Sequence, residues 1–481
     1  TASHSNCGRQ PAPPFGRSLR TTMSSLAFSP LPLRVVLRSG RGASGAGIRA
    51  SRTAFRPVRS PASGKTRRAT LAPVRAAADT APTDTKKAAV VEGETTSGAS
   101  LMLKRAVVAT AQFLIGLLPG RLGLTWLAGL LPSNVKSVFM NLVDMYTEQL
   151  EKATGDRRKA ESVTYSVFRL MCKAYAEQLV IPYKFPPHHT AIRRPTDYYK
   201  MGQQYIGCMI DFNRSVLMYP ERWAKIKADL DKGENVILLT NHQSEGDAAF
   251  IPLLTENSHP GLGEQVTYIA GDRVVSDKLC KPFSMGRNLL CVHSKKHIMD
   301  DPSTRSEKMR DNVRTLKEME ALLRKGGMLI WIAPSGGRDR RSPDGTLMPA
   351  NFDPAAVEMM VRLGKKKGVK PTHLLPMAMS TYDIMPPPET TQKDLGEERI
   401  VNYTGAGLSV GEDIDVSENA PWAQGVDLGN RQASAQALCD YVYSQVCELY
   451  KPIASCNVPG GPVDPVPANG IRPKKPSIIP Y

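Results

Sequence analysis

Residues 236–247 have the sequence VILLTNHQSEGD. The apolar start predicts a buried strand at 236–240, and the polar end places His242 and Asp247 in the loop that follows. Residues 248–256 are mostly apolar and compatible with a helix. A strand, a loop and a helix in this order form the unit that presents functional side chains at the carboxyl ends of strands in open α/β sheets.

The chain continues this alternation of strands and helices beyond the first unit. Further strands are predicted at 266–270, 289–293, 328–333, 373–379 and 399–403, and helices at 221–231, 304–325, 353–364 and 431–450. The pattern predicts an α/β fold for residues 184–455, with a mostly parallel mixed sheet flanked by helices. The Pro/Gly-rich residues 456–481 are expected to form a flexible tail.

A small all-α domain is predicted at residues 104–183, ahead of the sheet. It begins with the apolar segment 106–131, which Pro119, Gly120 and Arg121 divide into two pieces. Each piece is too short to span a bilayer. Two interpretations stay open: a helical hairpin that lies on a membrane surface, or two buried helices of a bundle.

The net charge of +18 is concentrated at the start of the chain. Residues 1–78 contain thirteen arginines, Lys65 and no acidic residue, so they carry +14 and leave +4 for the rest. This composition, without a continuous hydrophobic segment, is typical of a plastid transit peptide, with residues 79–103 as a linker. An arginine-rich arm that binds RNA is the alternative. The nearly neutral remainder argues against a general nucleic-acid-binding role.

The sequence motifs of nucleotide and metal sites are not found. No G-x-x-x-x-G-K-[ST] occurs, and the eight cysteines include no C-x-x-C pair. No His, Cys and Asp cluster has the spacing of metal ligands. We therefore expect neither a cofactor nor a metal, and we expect the cysteines to be free thiols in a reducing compartment.

His242 and Asp247 are the candidate catalytic residues. On a straight helix, side chains five residues apart diverge by about 140°, so the two meet only if residues 242–247 form a loop. In that case Asp247 would fix one ring nitrogen of His242 and leave the other to take a proton from an alcohol. The alternative is that Asp247 is the N-cap of the helix that follows.

Two basic clusters also follow predicted strands. Lys295, Lys296 and His297 come after one strand, and Arg338, Arg340 and Arg341 come after another, behind the Gly336–Gly337 pair. Because the carboxyl ends of parallel strands meet at one edge of a sheet, the clusters can converge on a single anion. Guanidinium and ammonium groups together suit a phosphate dianion.

Several longer motifs reveal a family resemblance. They read GDR at 271–273, KPFSMGRN at 281–288, SKKH at 294–297, WIAPSGGRDR at 331–340 and DIMPPP at 383–388. With these motifs and the H-x-x-x-x-D element, the chain closely resembles the soluble plastid glycerol-3-phosphate acyltransferases of plants and algae. The resemblance runs from about residue 131 to about residue 410, so the apolar segment 106–131 lies outside it.

The resemblance implies an acyltransferase fold and a glycerol-3-phosphate 1-O-acyltransferase activity. The acyl group would pass from acyl carrier protein to the sn-1 hydroxyl of glycerol 3-phosphate, giving lysophosphatidate, the first step of plastid glycerolipid and phosphatidylglycerol synthesis. Carried over by motif, His242 would be the base and Asp247 its orienting partner. The phosphate ligands would be Lys296, His297, Arg338 and Arg340.

The expected partners are therefore acyl carrier protein and glycerol 3-phosphate, in the chloroplast stroma. The segment 106–131 is expected to add a peripheral membrane contact. Two alternatives stay open: a lysophosphatidate acyltransferase, and a non-catalytic protein that binds phosphate or lipid.

Overall fold

The computed structural model describes residues 98–131, 133–277, 280–294, 298, 302–387 and 399–481. The transit peptide expected at 1–78 lies outside the described residues, as does the linker up to residue 97. Residues 98–103, expected to belong to the linker, instead form the first turns of a helix. They extend the apolar run of that helix toward the amino terminus, which accounts for the earlier start.

The helices and strands follow each other in the alternating order that the sequence predicts. Four helices come first: α1 Gly98–Leu117, α2 Gly120–Ala128, α3 Ser133–Thr154 and α4 Arg157–Val180. The next elements are β1 His188–His189, α5 Tyr198–Gly207, β2 Val216–Met218, α6 Pro220–Asp231, β3 Asn235–Thr240, α7 Phe250–Thr255, β4 Val266–Gly271, α8 Asp272–Ser276 and α9 Lys281–Met285. The last are β5 Asn288–Val292, α10 Arg305–Lys325, β6 Leu329–Ile332, α11 Pro354–Gly364, β7 Thr372–Ser380, β8 Gly407–Val410, α12 Arg431–Tyr450 and β9 Gly470–Ile471.

The strands form one mixed sheet, in which the described residues give the order β1-β5-β4-β6-β3-β7-β8-β2-β9. Strands β5, β4, β6, β3 and β7 are parallel to one another, and β2 is parallel to β8. The antiparallel pairs are β1 with β5, β7 with β8 and β2 with β9. The prediction of a mostly parallel mixed sheet is confirmed. The carboxyl ends of β3, β5 and β6 therefore lie along one edge.

Strand β3 lies in the middle of the sheet, between β6 and β7, and both of its faces are apolar. Val236 and Leu238 pack into the core under α3, α4, α5 and α7, and Ile237 and Leu239 pack into the core under α10, α11 and α12. All four side chains are fully buried. A continuous apolar run is what a parallel strand covered on both faces requires.

The four-helix region joins the sheet through an aromatic cluster. Tyr146 of α3 stacks on Tyr205 of α5 with ring centroids 5.3 Å apart, and Phe168 of α4 meets both rings edge-on. The Tyr146 hydroxyl also donates to the Tyr205 carbonyl at 2.8 Å. The helices therefore share one hydrophobic core with the sheet rather than enclosing a core of their own.

Two segments differ from the prediction. Residues 399–403 are not a strand, because the amides of Val401 and Tyr403 donate to side chains of α3 instead of a neighbouring strand. The sheet pairing lies a few residues later, in β8. Residues 456–481, expected to be a flexible tail, form β9 against β2 and bury Ile479 in the core.

Candidate active site

The loop after β3 brings His242 and Asp247 together. His242 Nδ1 lies 2.8 Å from Asp247 Oδ2, with the imidazole 27% exposed and the carboxylate 2% exposed. The contact forms because residues 241–246 have no helical structure, and a 3-10 turn begins only at Asp247. The loop geometry that the sequence requires for a His–Asp pair is present.

Asp247 faces back into this loop and does not cap the next helix. Its oxygens accept hydrogen bonds from His242 Nδ1, Gln243 N, Ser244 N, Ser244 Oγ and Thr381 Oγ1. The alternative role as N-cap of the following helix is wrong, because the amides that it binds precede it in the chain.

These donors decide the charge of Asp247. Burial favours its neutral form, but the hydrogen bond and charge of His242, with the bonds from Thr381 and Gln243, outweigh burial and hold the pKa of Asp247 below its usual value. An ionised carboxylate only accepts hydrogen bonds, so Nδ1 of His242 is the donor. In the neutral tautomer that carries this proton the lone pair is on Nε2, and the imidazole is oriented as a base.

The arginine loop, residues 333–341, is joined directly to His242. The Asp339 amide donates to the His242 carbonyl at 2.6 Å. Gly336 has a φ of 63°, a left-handed conformation that favours glycine, and no described atom lies within 4 Å of the place where a Cβ would stand at Gly336 or Gly337. The loop therefore leaves open space beside its backbone.

The three arginines of this loop have different surroundings. Arg338 is 11% exposed and its Nη1 lies 3.0 Å from Glu245 Oε1, inside the His242 loop. Arg341 pairs with Asp383 at 2.5 Å. Arg340 is exposed, and among the described residues its guanidinium has no hydrogen-bond or ion-pair partner. Arg340 is thus available to an anionic ligand, and Arg338 is fixed beside the His–Asp pair.

Comparison with known proteins places this geometry in a family. The acyltransferase family model matches residues 224–380, which include both loops. A Cucurbita moschata chloroplastic glycerol-3-phosphate acyltransferase, ATS11, is 43% identical over 319 residues, covering 66% of this chain and 70% of its own length. The Arabidopsis thaliana and Spinacia oleracea chloroplastic proteins of that name are each 42% identical, covering 67% of this chain and 69% and 67% of their own lengths.

The chain belongs to the chloroplast glycerol-3-phosphate acyltransferase family. The family resemblance inferred from the motifs is therefore confirmed, as is the acyltransferase fold.

Two of the expected phosphate ligands of this acyltransferase, Lys296 and His297, lie outside the described residues. The strand that precedes them, β5, is described and ends at Val292. It runs parallel to β4, which runs parallel to β6 and through it to β3. The chain therefore leaves β5 at the same sheet edge as His242, about three strand spacings or roughly 14 Å away.

The acyltransferase site also contains supporting residues that the sequence analysis missed. Asn241 Nδ2 donates to the Asp339 carboxylate at 2.8 Å and to the Met379 carbonyl at 3.0 Å, and its Oδ1 accepts from the Met379 amide. Gln243 Oε1 accepts from the amide of Thr381. Asn241 and Gln243 flank His242 in the sequence. This adjacency is the sequence feature from which their supporting role could have been predicted.

Proposed function

We propose that this acyltransferase transfers a fatty acyl group from acyl carrier protein to the sn-1 hydroxyl of glycerol 3-phosphate, giving lysophosphatidate. The observation that carries the proposal is the joining of two loops: the amide of Asp339 binds the carbonyl of His242. This hydrogen bond keeps the flanking residues Arg338 and Arg340 close to a His–Asp pair. The acyl-carrier-protein donor and the sn-1 position are supported by the family resemblance.

The His–Asp pair accounts for a direct transfer. Nε2 of His242 takes the proton of the sn-1 hydroxyl as the oxygen attacks the thioester carbonyl. When the tetrahedral intermediate collapses, the C–S bond breaks and the imidazolium returns the proton to the leaving thiolate. Asp247 stays ionised throughout and stabilises the imidazolium. The products are the ester and the free thiol, and no acyl-enzyme is needed.

The arginines supply the acceptor specificity in this proposal. Arg338 and Arg340, with Lys296 and His297, bind the phosphate of glycerol 3-phosphate and so place its hydroxyl beside His242. Holding the two reacting groups in one geometry is a large part of what an enzyme contributes to such a reaction.

A product assay tests this proposal against both alternatives. Purified enzyme is offered acyl carrier protein and coenzyme A thioesters, with glycerol 3-phosphate or lysophosphatidate as acceptor. We expect 1-acyl-glycerol 3-phosphate from the first acceptor and no diacyl product from the second. Formation of phosphatidate would support the lysophosphatidate acyltransferase. Failure to consume either thioester, with tight lipid or phosphate binding, would support the non-catalytic protein.

We also propose that residues 1–78 direct the enzyme to the chloroplast stroma. Relatives in several plants are named chloroplastic, and the arginine-rich, acid-free composition suits a transit peptide. A fusion of residues 1–78 to a fluorescent protein should enter the plastid, whereas a fusion that begins at residue 79 should not. Nuclear or nucleolar accumulation of the first fusion would support the RNA-binding alternative.

The surface of α1 and α2 supports a peripheral membrane contact, which we propose as a second feature of the enzyme. In α1, Val108 and Ile115 pack inward, and Gln112 donates to the Lys173 carbonyl of α4. The outward side is apolar instead: Phe113 is 66% exposed and Leu117 is 65% exposed. A helix whose polar side chain faces the protein and whose aromatic and aliphatic side chains face outward suits a lipid surface.

Helix α2 continues this apolar surface. Leu122 and Trp126 are exposed and four residues apart, so they share one side of the helix, and the exposed Leu130 follows in the turn after it. By length and composition alone, the stretch Ala99–Leu117 could also cross a bilayer. Because α1 packs along the charged helix α4, we place it on the bilayer surface and not across it.

Flotation with phosphatidylcholine vesicles tests the membrane contact. These vesicles carry no net charge, and high salt suppresses any electrostatic binding through the arginine-rich residues 1–78. The wild type should float with the vesicles, and a variant with Phe113→Ser, Leu114→Ser and Trp126→Ser should not. Val463→Ser removes an exposed apolar side chain elsewhere and should float normally. Equal flotation of all three, or sedimentation as a dimer that the triple variant abolishes, would overturn the proposal.

A further inference from the structure

Asp339 lies between the two arginines proposed to bind phosphate, yet it faces the opposite way. Arg338 is largely buried against Glu245 and Arg340 is exposed, whereas the Asp339 side chain is fully buried. In the described residues its carboxylate has no arginine or lysine partner. A buried carboxylate without a cation is costly, so its position calls for an explanation.

The hydrogen bonds of Asp339 connect three parts of the active site. Its Oδ2 accepts from Asn241 Nδ2 at 2.8 Å, and its Oδ1 accepts from the Ala350 amide at 2.9 Å. Its own amide donates to the His242 carbonyl at 2.6 Å. One residue therefore contacts the side chain of Asn241 before the base, the backbone of the base itself and the segment that follows the arginine loop, at Ala350.

Asn241 extends this connection to a third strand. Its side-chain oxygen accepts from the Met379 amide at 2.8 Å, and its Nδ2 donates to the Met379 carbonyl. The ends of β3 and β7 and the loop after β6 are thus fixed to each other by buried hydrogen bonds. Buried, fully satisfied polar networks of this kind give a unique geometry to the groups that they connect.

We propose that Asp339 is a positioning residue, which fixes the arginine loop relative to His242 so that the acceptor phosphate and the base stay in register. This inference rests on the proposed function, because it assigns Arg338 and Arg340 to the phosphate. Asp339 touches neither substrate in this role. It acts through the backbone that carries both arginines and through Asn241.

The chemistry of the contacts requires an acceptor-only side chain. The groups that face the Asp339 carboxylate are donors: the side-chain amides of Asn241 and Gln243 and the Ala350 N–H. An ionised carboxylate satisfies these donors, whereas an asparagine would direct its own N–H₂ at one of them. Burial raises the pKa of Asp339 to about 6. Hydrogen bonds from Asn241, Ala350 and Gln243 lower this pKa, and the negative charge of Asp247 raises it. The group is therefore ionised at neutral pH.

The titratable groups of α12 near Asp339 are neutral at that pH, whereas Asp247 is ionised. The groups of α12 are Tyr443, Cys447 and Tyr450. Their pKa values are raised mainly by burial and also by the negative charge of Asp339. They provide no positive charge that could replace the hydrogen bonds. The position of the carboxylate thus depends on its hydrogen-bond donors.

Asp339→Asn is the direct test, with kinetics on both substrates. We expect kcat/KM for glycerol 3-phosphate to fall about tenfold or more, with a raised KM, because a small displacement between base and phosphate site has a large effect. The KM for the acyl thioester should stay the same. The matched control is Asp229→Asn, which removes a buried carboxylate of α6 before the amino end of β3, whereas His242 follows the carboxyl end. This control should leave both KM values unchanged.

A second variant guards against loss of folding. Asn241→Asp combined with Asp339→Asn reverses the donor and acceptor of the 241–339 hydrogen bond and leaves the amide oxygen of the new side chain at position 339 for the Ala350 N–H. We expect it to recover part of the lost kcat/KM, although the bond to the Met379 carbonyl is gone. An unchanged KM for glycerol 3-phosphate in folded Asp339→Asn, or an equal loss toward both substrates without rescue, would overturn the inference.

The proposed function can fail separately from this inference. If wild-type enzyme forms no acyl-glycerol phosphate, the proposed function fails. The effect of Asp339 is then read from calorimetric binding of glycerol 3-phosphate to wild type and variants. Equal affinity in wild type and Asp339→Asn would reject the positioning role in that case too.

Discussion

Arg338 and Glu245 form an ion pair, with 3.0 Å between Nη1 and Oε1, inside the loop that separates His242 from Asp247. The second oxygen of Glu245 lies 3.4 Å from Nε of Arg399. The three side chains are only 11%, 19% and 12% exposed, in the order Arg338, Glu245, Arg399. The carboxylate of Glu245 thus lies between two guanidinium groups, in the same loop as the proposed base.

Glu245→Gln tests the weight of this charge while keeping the side-chain shape. Since breaking a largely buried ion pair by removing one partner is destabilising, we expect the free energy of unfolding to fall by about 3 kcal/mol. Loss of the negative charge should also make inorganic phosphate a several-fold stronger competitive inhibitor. Urea denaturation and inhibition kinetics measure the two effects.

The control for this variant is Glu448→Gln, which breaks the exposed pair with Lys451. Its stability should change by no more than about 0.5 kcal/mol. If Glu245→Gln were as stable as this control and equally sensitive to phosphate, the Arg338–Glu245 pair would have no electrostatic role.

Asp247→Asn should nearly abolish turnover. An asparagine directs N–H₂ at a site where five donors converge, so the loop must rearrange and the His242 tautomer is no longer fixed. We expect kcat to fall by about a thousandfold or more, by analogy with serine hydrolase triads. Thr381→Val removes only one of the five donors and should lose far less. Comparable kcat values for the two variants would show that Asp247 does not orient the base.

The central strands could be predicted from the sequence because their apolar runs are local signals. Strand β3 and the loop with His242 and Asp247 are one continuous segment, and so are Arg338 and Arg340 behind β6. The same local patterns indicate where each strand ends, and parallel pairing brings those carboxyl ends to one edge of the sheet. The general location of the site follows from the strand ends and the parallel pairing.

The supporting contacts could not be predicted, because they join residues that are far apart in the chain. Glu245 and Arg338 are 93 residues apart, and Asn241 and Asp339 are 98 apart. No spacing rule applies at such separations. The same reason explains the C-terminal segment, whose Gly470 and Ile471 are ordered by pairing with β2 and not by a local pattern.

The titration of Asp339 should make the stability of the wild type depend on pH in a way that Asp339→Asn does not. Its folded pKa of about 6 lies above the ordinary value of 3.8. The folded state therefore binds the proton more tightly, and wild-type stability should rise as the pH falls from about 7 toward about 4. The difference amounts to about 3 kcal/mol. Denaturation of wild type and variant across this range measures it, and parallel pH curves would contradict the prediction.

His373, at the amino-terminal end of β7, should stabilise the fold through its charged form. Its Nε2 lies 2.8 Å from Glu234 and its Nδ1 lies 2.6 Å from Asp413. Burial favours the neutral ring, but these two hydrogen bonds, with the charges of Asp413 and Asp229, outweigh burial and raise the pKa of His373. The imidazolium thus bridges carboxylates on either side.

Because the folded pKa of His373 is raised, its contribution is complete below the ordinary pKa of 6.5 and is lost as the pH rises through the folded value. Water reaches the pairs and screens them, so we expect at most about 1 kcal/mol. Relative to His373→Gln, the wild type should lose this advantage as the pH rises above the ordinary pKa of 6.5 in urea denaturation. Added Zn²⁺ offers a second check, since one ligand atom each of Asp229, Glu234 and His373 lies within 4.8 Å of the others in the folded structure, although the three residues have no metal-site spacing in the sequence. Stabilisation of wild type but not of His373→Gln by Zn²⁺ would replace the imidazolium bridge with a metal site.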